Sequence, residues 1–98
     1  MIIRIVKMSF QEEMTEDFIN FFDKYKSEIR NFKGCQYLQI LKDVKNPNII
    51  FSYSYWDSET SLLNYRNSSL FTDIWSETKK KFKDPAEAWS TEILHDLK

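Results

Sequence analysis

The stretch Ile49–Trp56, IIFSYSYW, constrains the fold of this chain more than any other. Its β-branched and aromatic residues are interleaved with serines over a length typical of a strand. Alternation puts Ile50, Ser52, Ser54 and Trp56 on one face and Ile49, Phe51, Tyr53 and Tyr55 on the other. Large apolar groups stand on both faces, so a sheet built on this strand needs cover on two sides. Helices are expected on one side. A second copy of the chain is the simplest cover for the other.

The flanking segments supply the rest of such a sheet. Ile2 to Phe10 reads as a first strand, with Arg4 and Lys7 interspersed among apolar residues. Met14, Phe18, Phe21, Phe22, Tyr25, Ile29 and Phe32 recur at helical spacing, with charged residues on the opposite face. The pattern predicts one amphipathic helix, stopped by Gly34. Cys35 to Asp43 is a second strand, turned by Asn46-Pro47-Asn48 into the third. Asp57 or Ser58 can cap a short helix running through Arg66. Asn67-Ser68-Ser69 interrupts it, and either serine can cap a further helix from Leu70 to about Phe82. Asp84-Pro85 is expected to break that helix, with Ala88 to Leu94 as a last strand.

The order β, α, β, β, α in two pieces, β predicts an α+β, ferredoxin-like βαββαβ fold. Interleaving its two β-α-β units gives a four-stranded antiparallel sheet with helices on one face. The 98 residues, positions 1–98, suffice for one domain. Pairing two such sheets through their bare faces would close a dimeric α+β barrel.

Scarce residues exclude several chemistries. Gly34 is the single glycine, so neither G-x-G-x-x-G nor a P-loop can be present. One His (His95) and one Cys (Cys35) make no zinc site of the usual type and no internal disulfide. Lys+Arg 14 against Asp+Glu 15 leaves a net charge of -1, without the basic excess of a nucleic-acid binder. No apolar run approaches a membrane span, and Met1-Ile2-Ile3-Arg4-Ile5-Val6-Lys7 is too short for a secretory leader. The expectation is a cytoplasmic protein with no metal and no resident cofactor. Lys79-Lys80-Lys81 reads as a solvated helix end that suits the helix dipole, His95 as an exposed residue, and Cys35 as a small packing group.

Several stretches, in this order, resemble the antibiotic biosynthesis monooxygenase domain. They are Lys33-Gly34-Cys35-Gln36-Tyr37, Asp43-x-x-Asn46-Pro47, Tyr55-Trp56-Asp57-Ser58-Glu59 and Tyr65-Arg66-Asn67-Ser68-Ser69-Leu70-Phe71. The opening Met1-Ile2-Ile3 fits as well, and the resemblance reaches about Leu94. It implies the same dimeric barrel, and an activity like that of cofactor-free oxygenases of quinols and anthrone-like polyketides or of haem-degrading relatives. In the anthrone-oxidising members the tryptophan ending the third strand is a pocket residue, and it falls on Trp56. The asparagine that those enzymes carry four residues earlier is replaced by Ser52. A family histidine near the end of the broken helix reads as Tyr65, and a second one as Leu70. The haem degraders' histidine falls on Trp75 and their tryptophan on Tyr65, so the proximal haem ligand is missing.

The resulting expectation is a monooxygenase of a small aromatic substrate, quinol- or anthrone-like. Trp56, Ser52 and Tyr65 would be its catalytic residues, and Arg66, Phe71 and Trp75 its substrate-binding residues. Trp56 and Phe71 would stack the ring, while Ser52, Tyr65 and Arg66 bond its oxygens. Small Ser52 and Ser54 beside a large indole leave space that a tightly packed core would fill. The competing expectation is a non-catalytic dimeric module that binds or senses a small aromatic ligand. On that view Trp56, Phe71 and Trp75 are core residues at ordinary strand and helix spacing.

Overall fold

The alternation in IIFSYSYW is realised as a central strand. In the computed structural model, which describes every residue from Met1 to Lys98, this strand is β3 (Ile49–Trp56). It pairs on one edge with β2 (Cys35–Lys42) and on the other with β1 (Ile2–Phe10), and β4 (Phe82–Thr91) adds to the far edge of β1. All pairings are antiparallel and the order is β2-β3-β1-β4. This is the α+β, ferredoxin-like arrangement expected from the element order.

The helices are α1 (Thr15–Asp23), α2 (Lys26–Arg30), α3 (Glu59–Arg66) and α4 (Ser69–Thr78). Their apolar residues meet the inner sheet face in one main cluster. Met8, Phe10 and Ile50 from the sheet pack there against Phe18, Phe22, Ile29 and Ile74. Ser58 caps α3 by accepting the Ser61 N–H at 3.1 Å, and Ser68 caps α4 by accepting the Phe71 N–H at 3.1 Å. The opposite sheet face is covered by no helix. Tyr37, Leu41 and Trp89 keep 39%, 42% and 46% of their surface exposed there.

Three expectations need correction. The Met14–Phe32 stripe is not one helix. It is a 3-10 turn at Glu12–Met14, then α1, then α2, with the break at Lys24 and Tyr25. Lys24 and Tyr25 donate to carbonyls three residues back, Phe21 and Phe22, which tightens the chain locally. Apolar spacing reports which residues are buried, not the hydrogen-bond step between them. Gly34, second, does not end that helix, since α2 closes at Arg30. It sits in the turn before β2 at φ +95 and accepts the Asp57 N–H at 2.9 Å. Third, α4 ends at Thr78 and β4 already begins at Phe82, so Asp84-Pro85 lies inside a strand. Proline is tolerated because β4 is an edge strand whose register with β1 shifts around Ser9 and Asp84. Phe82 is held early in the strand by its rings' contacts, 5.4 Å to Phe10 and 5.5 Å to Trp75.

Gly34 yields a test. A Cβ there would run into the Cβ and Oγ of Ser61 at the start of α3, in a backbone conformation that L-residues avoid. Gly34→Ala is expected to cost about 2 kcal/mol or more and to lower the melting temperature by roughly 10 °C. Adding Ser61→Gly should recover the steric part and leave the backbone part.

Candidate functional site

Strand register decides what lies under the helices. Across the inner face, Leu38, Ser54, Arg4 and Ser90 form one row, and Ile40, Ser52, Val6 and Ala88 the next. Ser52 and Ser54 on β3 sit beside Arg4 and Val6, and the small Ala86 and Ala88 follow on the edge strand β4, so the space under the helices is not filled from below. A cavity of about 240 Å³ remains between sheet and helices. That exceeds the ~150 Å³ that accommodates benzene in an engineered core. It falls below the roughly 300–1,000 Å³ of pockets for drug-sized ligands.

The cavity's aromatic wall is continuous. Trp56, 1% exposed, stacks on Tyr65 at 5.0 Å and 24°. Tyr65 meets Phe71 edge-on at 5.2 Å, and Phe71 stacks on Trp75 at 5.7 Å and 12°. The interruption between α3 and α4 makes this possible. The Ser68 hydroxyl donates to the Tyr65 carbonyl at 2.5 Å while accepting from the Phe71 N–H. One side chain thus closes the end of α3 and the start of α4, and fixes the turn that presents both rings to the same space.

All the residues singled out from the sequence, Trp56, Ser52, Tyr65, Arg66, Phe71 and Trp75, border this cavity. Their polar groups are not equally free. The Trp56 indole N–H is already donated to Ser54 Oγ at 2.9 Å. Thr78 Oγ1 donates to the Ile74 carbonyl at 2.7 Å. No fully buried side-chain oxygen lacks a partner, so the unbonded hydroxyls of the half-buried Ser52 and Tyr65 border open space. Burial, with a smaller contribution from nearby Cys35, pushes the Tyr65 phenol well above its ordinary range. It therefore stays protonated and can act as a hydrogen-bond donor but not as an anionic base.

One lining residue escaped the sequence reading. Arg4 stands on the inner face of β1, among Ile2, Val6 and Met8, and donates from Nη1 to Ser90 Oγ at 3.0 Å. Burial first, and the charge of Arg66 second, lower its pKa. The available signal was a charge in the buried phase of an otherwise apolar alternation. No Asp, Glu, His or Cys lines the cavity, and no three such side chains converge elsewhere in the chain. Cys35 is buried, its thiol pKa raised chiefly by burial, which fits a packing role. His95 and Lys79 are exposed, Lys80 pairs with Glu77 at 2.9 Å, and Lys81 lies 5.2 Å over the Phe21 ring.

A helix-roofed antiparallel sheet with an apolar pocket between its layers defines an α+β protein of ferredoxin-like topology. The chain belongs to the antibiotic biosynthesis monooxygenase family, whose sequence profile matches residues 1–75. Solved structures agree on the fold. An antibiotic biosynthesis monooxygenase superposes with TM-score 0.90 at 13% identity, covering 97% of this chain and 100% of that one. A conserved protein from Methanosarcina mazei Go1 gives 0.86 at 23% identity, covering 92% and 90%. A Mycobacterium tuberculosis protein gives 0.89 at 11% identity, covering 99% and 98%. No curated protein gives a significant match. No helix is long and apolar enough to cross a membrane.

The two floor serines should behave differently. Ser54→Ala orphans a buried indole N–H and is expected to cost about 1–3 kcal/mol in chemical denaturation. Ser52→Ala removes a hydroxyl with no protein partner and should stay within about 0.5 kcal/mol of the parent. Equal costs would mean that Ser54 does not close the Trp56 donor.

Proposed function

We propose that this chain is a cofactor-independent monooxygenase of a one- or two-ring hydroquinone, working as a homodimer. The observation that carries this reading is the cavity itself: an aromatic wall facing a sheet floor in which small serines and alanines alternate with apolar residues, with unbonded Ser52 and Tyr65 hydroxyls at its edge. A flat ring fits between them, and about 240 Å³ favours one or two rings over a three-ring anthrone. Phe71 and Trp75 hold the ring plane, Trp56 backs this wall through its stack on Tyr65, and Ser52, Tyr65 and Arg66 meet the ring's oxygens.

The substrate is the reductant in this scheme. Its anion gives one electron to O₂, and the radical and superoxide join in a C–O bond. The protonated hydroperoxide then loses water to leave a hydroxyquinone. One oxygen atom ends in the product and the other in water, with all the electrons drawn from the ring. The apolar wall shields the ring from part of the solvent, and the hydroxyls bond the ring oxygens as their charge changes. Oxygen uptake with a panel of hydroquinones, in metal-stripped protein, tests this. Ser52→Ala and Trp56→Phe are each expected to lower kcat/KM by about tenfold with the fold intact. Full activity in both variants removes the assignment.

The acid-free, imidazole-free wall favours a second reading, a non-catalytic module that binds a small aromatic. Saturable binding without substrate-dependent oxygen uptake would select it. The dimer is proposed from the open sheet face, where Ile5, Phe51, Tyr53, Tyr55 and Trp89 lie without helical cover. Tyr53→Glu with Trp89→Glu is expected to convert a dimer into a monomer in sedimentation. A parent chain that sediments as a monomer rules the dimer out.

A further inference from the structure

Arg4 and Arg66 present an unanswered pair of charges to a mostly apolar cavity. Arg4 rises from the sheet floor and Arg66 ends α3 beside Tyr65, so the two residues line the same space from opposite layers, near enough for their charges to act on each other. The chain has 15 acidic residues, yet its ion pairs are Lys7–Glu87, Lys26–Asp23 and Lys80–Glu77, and neither arginine joins one. The one side-chain hydrogen bond that Arg4 makes is to Ser90 Oγ, which orients its fork and leaves its other N–H groups free. Burial and the charge of Arg66 both act against the Arg4 cation. Arg4 is half-buried while Arg66 is exposed, and a half-buried cation is normally answered by a carboxylate. Here the protein supplies none.

We propose that Arg4 and Arg66 form a carboxylate-binding subsite, and that the substrate is an aromatic acid whose carboxylate lies between them. The inference rests on the aromatic pocket reading above and narrows it. A planar carboxylate matches the guanidinium fork with two oxygens, where a phenolate offers one. Ser52 and Tyr65 remain available for the ring oxygens.

Calorimetric titration with 2-naphthoate and its neutral isostere 2-naphthamide tests the subsite without requiring turnover. The parent protein is expected to bind 2-naphthoate at least about tenfold more tightly, with the preference shrinking as salt rises. Arg4→Gln and Arg66→Gln should each bring the two ligands near parity while 2-naphthamide affinity changes by less than about twofold. Arg66 lies at an exposed helix end, so Arg66→Gln keeps the test open if Arg4→Gln misfolds. Arg4→Lys, which keeps charge but not the fork, should retain only part of the preference. Equal affinity in the parent, or an intact preference in Arg66→Gln, overturns the subsite. If 2-naphthamide binds and 2-naphthoate is no tighter, the subsite falls and the pocket stands. If neither binds, both fall.

Discussion

The hydrogen bond from the Trp56 indole to Ser54 Oγ, 2.9 Å long and buried, holds the rest of the site together. A large indole at the end of a central strand brings a polar donor into the core, and that donor has to be answered. Serine answers it with a small side chain, which also keeps this part of the floor low. The anchored indole then gives Tyr65 a face to stack on at 5.0 Å. Tyr65 in turn offers its backbone carbonyl to Ser68, which caps α4 and turns Phe71 inward. A larger apolar residue at position 54 would orphan the donor and fill the space at once. The cavity is thus a consequence of how the core satisfies one N–H group, not a defect in its packing.

Strand β3 divides its labour by residue parity. Its inner residues, Ile50, Ser52, Ser54 and Trp56, step from packed core to cavity floor to anchor along one face. Its outer residues form an aromatic sheet surface in which Tyr37 lies 5.1 Å from Tyr55 and the Tyr53 and Tyr55 hydroxyls are 3.3 Å apart. A one-residue slip would exchange the two sets, placing tyrosines under the helices and serines outside. The single register that buries Trp56 therefore also builds the floor and exposes the aromatic face.

Much of this was legible in the sequence where one periodicity governed a whole element. Ile49–Trp56 appears with its expected bounds and faces, and Ser58 and Ser68 cap the two pieces of the broken helix. Legibility failed where tertiary contact overrode local signals. Proline reads as a helix breaker, but Pro85 is placed in β4 because Phe82 docks early on Phe10 and Trp75. Trp56, Phe71 and Trp75 lie in patterned segments that mark them as inward-facing, while Tyr65, in the weakly patterned α3, is singled out by the family resemblance. Arg4 could not be paired with Arg66, because that juxtaposition depends on strand order and on where α3 lies over the sheet. Ala86 and Ala88 contribute by being small, and smallness acquires meaning only once the opposing residues are known.

The electrostatics of the cavity bear on the chemistry proposed for it. Its lining includes no carboxylate, imidazole or thiol, so no side chain in it is an ordinary proton acceptor near neutral pH. Burial holds the Tyr65 phenol in its neutral form. What the lining does contain is positive charge, from Arg4 and Arg66. Cations close to a bound acid favour its ionised form and lower its pKa. Two guanidinium groups facing one carboxylate leave a net positive charge beside the ring. On this reading the protein need not remove the hydroquinone proton with a base of its own, because it makes the bound ring more acidic. Binding and activation would then draw on the same two residues, and a neutral ring of the same shape would gain the stacking without the acidity.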